Sequence, residues 1–200
     1  MTKVKNKITP DTILKNFWKD NKRFADLFNA CFFDGNPKLN PDDLTEVDTD
    51  VSSLLQFHGY AETVKRIVDV VKKSAYGVDF VILGIENQSK IHYAMPLRHM
   101  LGDAFSYLKE YNEIAKKHKK EKDYTATDEF LSRMKKTDRL HSVLTICIYY
   151  GENPWDGPHS LIDMLEIPDA FKPLISDYKF NLIELRKSCL LYTSDAADEL

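Results

Sequence analysis

Cysteine is scarce in this chain of 200 residues: Cys31, Cys147 and Cys189 are the only three, and no two form a Cys-x-x-Cys pair. That spacing excludes a disulfide scaffold and a cysteine-rich zinc motif, and it fits a reduced, cytoplasmic protein. Glycine is nearly as sparse at seven residues, and no glycine-rich phosphate loop or Gly-x-Ser-x-Gly elbow occurs. The six histidines lack zinc-ligand spacing. No apolar run approaches the ~20 residues that span a bilayer. The basic start, Met1 to Lys7, leads into Ile8-Thr-Pro-Asp with no apolar core behind it, so neither export nor a membrane partner is expected.

A bulk charge of one sign is missing too. Cys189-Leu-Leu-Tyr-Thr-Ser-Asp-Ala-Ala-Asp-Glu199 resembles the translation of an adapter used in transposase-made sequencing libraries, so residues 189–200 are read as an artefact that interrupts a longer natural sequence. That tail holds three of the 31 acidic residues and no basic one, which leaves 28 of each sign. A neutral chain argues for one ordinary globular domain over residues 1–188 and offers no bulk electrostatic pull toward nucleic acid. Any DNA contact must come from local patches.

Long apolar runs do occur. Val78, Phe80, Val81, Ile82, Leu83 and Ile85 form a β-branched stretch too continuous for a surface strand, and Val143 to Tyr150 forms another. Asp11 is placed to cap a helix carrying Ile13, Leu14, Phe17 and Trp18, with Phe24, Leu27, Phe28 and Cys31 continuing the stripe. Strands are expected over 52–57 and 64–71. Pro96 suits the first turn of a long helix in which Leu101, Phe105, Leu108, Tyr111 and Ile114 keep a 3.6 period; it ends in Lys116-Lys-His-Lys-Lys120, which suits the negative end of the helix dipole. A short helix is expected around Phe130, and another from Leu161 to Leu165. The order is helix, three strands, helix, strand: an α/β arrangement whose last strand returns to the sheet through a crossover.

The chemistry concentrates where the first apolar strand ends, in Ile85-Glu86-Asn87-Gln88. If the chain turns tightly around Gly77, the antiparallel partner of Glu86 is Asp69, and side chains directly opposed stand roughly 5 Å apart. Gln88 and Lys90 emerge on the same face as Glu86, while Asn87 offers its carbonyl nearby. Glu46, Asp48 and Asp50 alternate as well, but no glycine or distal glutamate follows at calcium-loop spacing. His141 and Cys147 flank an apolar strand and are read as packing residues.

Asp69 with Glu86-Asn-Gln88 resembles the D...E-x-Q form of the PD-(D/E)XK signature found in the recombination-promoting nuclease (Rpn) and transposase family, also called YhgA-like. Three further blocks fit in order: Asn21-Lys-Arg-Phe-Ala-Asp-Leu-Phe28, Tyr93-Ala-Met-Pro-Leu-Arg98 and Tyr149-Tyr-Gly-Glu-Asn-Pro-Trp-Asp-Gly157. The resemblance covers roughly residues 12–185; Gly102, where an aromatic residue is expected, departs from it. It implies a restriction-endonuclease-like core of order α-β-β-β-α-β and a metal-dependent DNA endonuclease that promotes recombination. The metal, Mg²⁺ or Mn²⁺, would be held by Asp69, Glu86 and the Asn87 carbonyl. Asp69, Glu86 and Gln88 would be the catalytic residues, with Lys90, Lys72 and Lys73 as candidate DNA contacts. DNA is the expected partner and a homodimer is allowed. Gln88 stands where the superfamily usually has lysine, and an amide carries no exchangeable charge near neutral pH, so a nuclease-like module that binds DNA or protein without cutting is the alternative.

Overall fold

Tyr76 and Gly77 turn the chain with φ of 55° and 73°, the two left-handed residues that a two-residue hairpin of matching twist requires. The computed structural model describes residues 10–47, 70–84 and 91–184. The turn joins β2 (Val70–Ala75) to β3 (Val78–Gly84) in an antiparallel ladder in which Ala75 faces Val78 and Val70 faces Leu83. Three more strands complete one mixed sheet of order β1 to β5: β1 (Thr45–Glu46), antiparallel to β2, and β4 (Ser142–Tyr149) and β5 (Asn181–Glu184), parallel to β3 and to each other.

The register corrects the expected one. In the register that sets Asp69 opposite Glu86, Val71 would face Gly84; it faces Ile82 instead, a displacement of two residues. The reason is steric. Reversal at Gly77 and Val78 would drive a β-branched residue to positive φ, whereas Tyr76 reaches that region beside a glycine and its hydroxyl donates to the Asp43 carboxylate. A shift of two preserves which face each side chain takes. The direct opposition expected for Asp69 and Glu86 concerns positions outside the described residues.

The single amino-terminal helix expected from the apolar stripe is two. α1 (Pro10–Lys19) ends before Asp20, whose side chain caps α2 (Asn21–Phe32) by accepting from the Arg23 amide at 3.0 Å. Ile13 and Phe17 on α1 are exposed, so of its apolar side chains described here Trp18 is the one that packs inward. The buried face of α2 supplies Phe24, Leu27 and Phe28, which meet Phe80, Ile82, Ile146 and Ile148 on one face of the sheet. α3 (Met95–Glu121) is the crossover between β3 and β4 and covers the other face, where Met95 joins Cys147, Tyr149, Trp155 and Phe180. α4 (Thr127–Ser132) follows it. The helix expected from Leu161 is a 3₁₀ turn, Ile162–Met164. The expected strands over 52–57 and most of 64–71 fall outside the described residues. No helix among the described residues is long and apolar enough to cross a membrane.

Nothing lies within 4 Å of a Cβ built at Gly77, so its constraint is purely the backbone angle. Gly77→Ala should therefore cost about 1–2 kcal/mol, while Gly77→Asn, which tolerates the left-handed region, should cost clearly less. Chemical denaturation of both variants checks this; equal stability of Gly77→Ala and the parent chain would remove the turn as the source of register.

Candidate functional site

Asp69, Glu86, Asn87, Gln88 and Lys90 lie outside the described residues. Lys72 and Lys73 are described, and they leave the hairpin by opposite faces into the fold. Lys72 is buried and pairs with Asp79 at 2.8 Å. Lys73 is 2 % exposed; its ammonium donates to the Lys19 carbonyl at the end of α1 and to the Asn21 side chain at the start of α2, and lies 5.2 Å from the Phe24 ring centre. Burial pulls its pKa down, against the opposing charges of Glu46 and Asp20. Both ammonium groups are thus engaged inside the protein, in positions unsuited to a phosphate backbone.

Of the sequence blocks that flank the Asp69 to Gln88 stretch, the first packs on the hairpin inside that stretch, and the two later ones meet each other. Asn21, Phe24 and Phe28 of the first block receive Lys73 and pack on β3. Tyr93 of the third block donates to the Asp156 carboxylate of the fourth at 3.3 Å, and Met95 packs in one cluster with Tyr149 and Trp155. The fourth block fits closely: a Cβ at Gly151 would lie 2.0 Å from the Tyr149 hydroxyl oxygen, and one at Gly157 would lie 2.9 Å from Ile91. Trp155 donates its ring N–H to the Gly157 carbonyl at 2.9 Å. The contacts between the two later blocks gather at the carboxyl end of β4 and the amino end of α3, the edge where open α/β sheets commonly bind ligands.

Beneath that edge runs a buried polar chain. Thr145 donates to one Asp103 oxygen at 2.5 Å and the Tyr178 hydroxyl donates to the other. With its proton so used, the Tyr178 oxygen accepts from His99 Nδ1 at 3.2 Å, which assigns the ring proton to Nδ1. His99 is 2 % exposed, and burial pulls its pKa down more than the Asp103 charge restores. Its Nε2 and the Tyr149 hydroxyl are buried without a hydrogen-bond partner among the described residues. Burial and the Asp103 carboxylate push the Tyr178 phenol up. No signal in the sequence joined these residues, which are up to 79 positions apart.

A second histidine closes the far end of α3. His118 Nδ1 lies 2.8 Å from an Asp123 oxygen and Nε2 lies 2.9 Å from an Asp138 oxygen, a geometry that the imidazolium satisfies by donating at both nitrogens. Lys135 pairs with Asp123 and donates its amide to Asp138 at 2.7 Å. Desolvation works against the charged ring, but the two aspartates outweigh it and raise the His118 pKa. His118, Glu121 and Asp123 offer possible ligand atoms within 4.8 Å of one another. A cation there would have to displace the ring proton and compete with Lys135, so the cluster reads better as an ion-pair clamp than as a metal centre.

The thiols of Cys31 and Cys147 are poor nucleophiles. Burial raises Cys31 to about 11 and raises buried Cys147 further still. His141 is exposed and pairs with Glu110 at 2.5 Å, so the expected core packing holds for Cys147 and not for His141. Compared with family models, curated proteins and solved structures, the chain finds no match.

The two histidines set opposite slopes of stability against pH. His118 has a raised folded pKa, so its contribution is complete below its unfolded value near ~6.5 and is lost as pH rises through the folded value; Asp123, Asp138, Glu121 and Lys135 are the charges that face it. His99 has a depressed folded pKa, so stability falls as pH drops below ~6.5, the unfolded chain then binding the extra proton. In melting curves recorded from mildly acid to mildly alkaline pH, His118→Gln should flatten the alkaline limb and spare the acid one. An unchanged alkaline limb would show that His118 is not the group being titrated.

Proposed function

We propose that the chain is a metal-dependent endonuclease that hydrolyses DNA phosphodiester bonds and so promotes recombination, on a restriction-endonuclease-like core. The observation that supports this reading is the packing of the first sequence block on the hairpin and the contact of the two later blocks with each other beside β4, the strand next to β3, with Asp69 adjoining the first residue of β2 and Glu86 two residues beyond the end of β3 in sequence. An antiparallel hairpin followed by a helical crossover into a parallel strand is also the connectivity that such a core needs.

In the proposed site Asp69, Glu86 and the Asn87 carbonyl hold Mg²⁺ or Mn²⁺, hard cations that take oxygen ligands. A bound cation would supply a nucleophilic water at neutral pH and stabilise the leaving oxygen. Without it, two neighbouring carboxylates repel and one takes up a proton more readily. Both must share a face, and the two-residue displacement of the ladder preserves that parity. Gln88 can orient the attacking water by hydrogen bonding but cannot exchange a proton with it. Lys90 is the nearest cation in the motif to take over the charge that a lysine in place of Gln88 would bring.

The test is nicking of supercoiled plasmid by protein lacking residues 189–200, with Mg²⁺ or with EDTA, beside Asp69→Ala and Glu86→Ala. Both variants should fall to the EDTA background while their circular dichroism stays that of the parent. Undiminished nicking by folded Glu86→Ala would remove that residue from the site. A folded parent that retains DNA on a filter yet yields no metal-dependent product would favour the non-cutting module, the reading that Gln88 motivates.

A further inference from the structure

Between the last turns of α3 and α4 lies an open groove of about 500 Å³ that plays no part in the proposed cleavage site. Its lining joins three cations, Lys116, Lys119 and Arg133, to Tyr124, Phe130 and Leu131, and includes no carboxylate. Phe130 is 66 % exposed and Leu131 73 %, unusually open for large apolar side chains set side by side. Phe130 stands edge-on to Tyr124, with ring centres 6.0 Å apart and an interplanar angle of 88°. Tyr124 in turn lies against the His118 ring at 5.5 Å, so the wall of the groove is braced by the clamped imidazolium.

A solvated helix end accounts for the lysines but not for an aromatic and an aliphatic side chain exposed among them in a concavity. Cations around an open aromatic face are the complement of an unstacked base with its flanking phosphates. A duplex hides the faces of its bases within the stack. We infer that this groove binds single-stranded nucleic acid, with one base stacked on Phe130 and phosphates held by Lys116, Lys119 and Arg133. Lys116 lies about 32 Å along the axis from Met95 at 1.5 Å per residue, so the groove is at the opposite end of α3 from Met95. The inference stands without the cleavage reading.

Fluorescence anisotropy in EDTA, with the full chain and a labelled fifteen-nucleotide thymidine strand, separates the two. Phe130→Ala should weaken binding roughly 5- to 100-fold, and Phe130→Trp should restore it. On an abasic strand of equal length Phe130→Ala should match the parent. Lys119→Ala should reduce the slope of log affinity against log salt by about 0.7, whereas Lys172→Ala, at an exposed lysine paired with Asp169, should leave the slope unchanged. Equal binding of both strands by parent and Phe130→Ala would overturn the inference. So would polyglutamate competing as well as the thymidine strand, which would mark an acidic-peptide surface. A change in sedimentation of free Phe130→Ala with no change in DNA affinity would instead mark contact with a second copy.

Discussion

The two-residue turn at Tyr76 and Gly77 is the constraint on which most of the molecule depends. By fixing Val71 opposite Ile82 and Lys73 opposite Phe80, it decides which side chains of β2 and β3 face α2 and which face α3. A slip by one residue would carry Phe80 and Ile82 out of the cluster with Phe24 and Phe28 and bring Asp79 into it. β4 then takes its register from β3, with Ile82 beside Ile146, and β5 takes its own from β4. The hairpin register thus stands at the centre of the sheet, and the pairings of β4 and β5 are laid down outward from β3.

Polar groups buried inside this sheet reinforce the same arrangement. Lys73 ties the corner between α1 and α2 to β2 through the Lys19 carbonyl and Asn21, so the amino-terminal helices cannot slide along the hairpin without stranding an ammonium. On the other face Asp103 joins α3 to Thr145 in β4 and to Tyr178 ahead of β5. Each network is satisfied only when helix and strand stand in one relation. Apolar packing alone would tolerate a shift of either helix by part of a turn, whereas these bonds would not.

What the sequence made legible follows the length of the signal. β3, β4 and α3 each carry a long, regular apolar pattern, and each forms close to where that pattern predicts. β5 is four residues, Asn181-Leu-Ile-Glu184, too short for a period and formed by pairing with β4. The break between α1 and α2 was written in Asp20, a favoured cap, yet the apolar stripe runs through it and masks it. Val78 held the clue to the register, since a β-branched residue resists positive φ. Lys72 and Lys73 looked like surface cations because charge was read without the sheet; in a strand covered on both faces, neighbouring lysines must turn inward and find partners. The carboxylates of the proposed site remain a reading of sequence, while the His118 clamp depends on residues up to 20 positions apart and leaves no local motif.

α3 links these observations, because its two ends face different tasks. Its amino end starts without a side-chain cap, among Tyr93, Met95 and the Trp155 loop, where its dipole is positive and the carboxyl end of β4 lies. Its carboxyl end would disfavour an anion by the same dipole, and His118, Lys119 and Lys120 in the last turn oppose that dipole. Lys122 then takes a left-handed angle, φ 53°, and returns its amide to the His118 carbonyl at 2.8 Å, which turns the chain toward Asp123 and α4. The imidazolium therefore has two effects from one position: it offsets the helix dipole and holds the loop that brings Tyr124 and Phe130 beside Lys116 and Lys119. A neutral side chain of similar size could fill the space but could donate at neither or only one nitrogen position, so the groove and the clamp should be lost together.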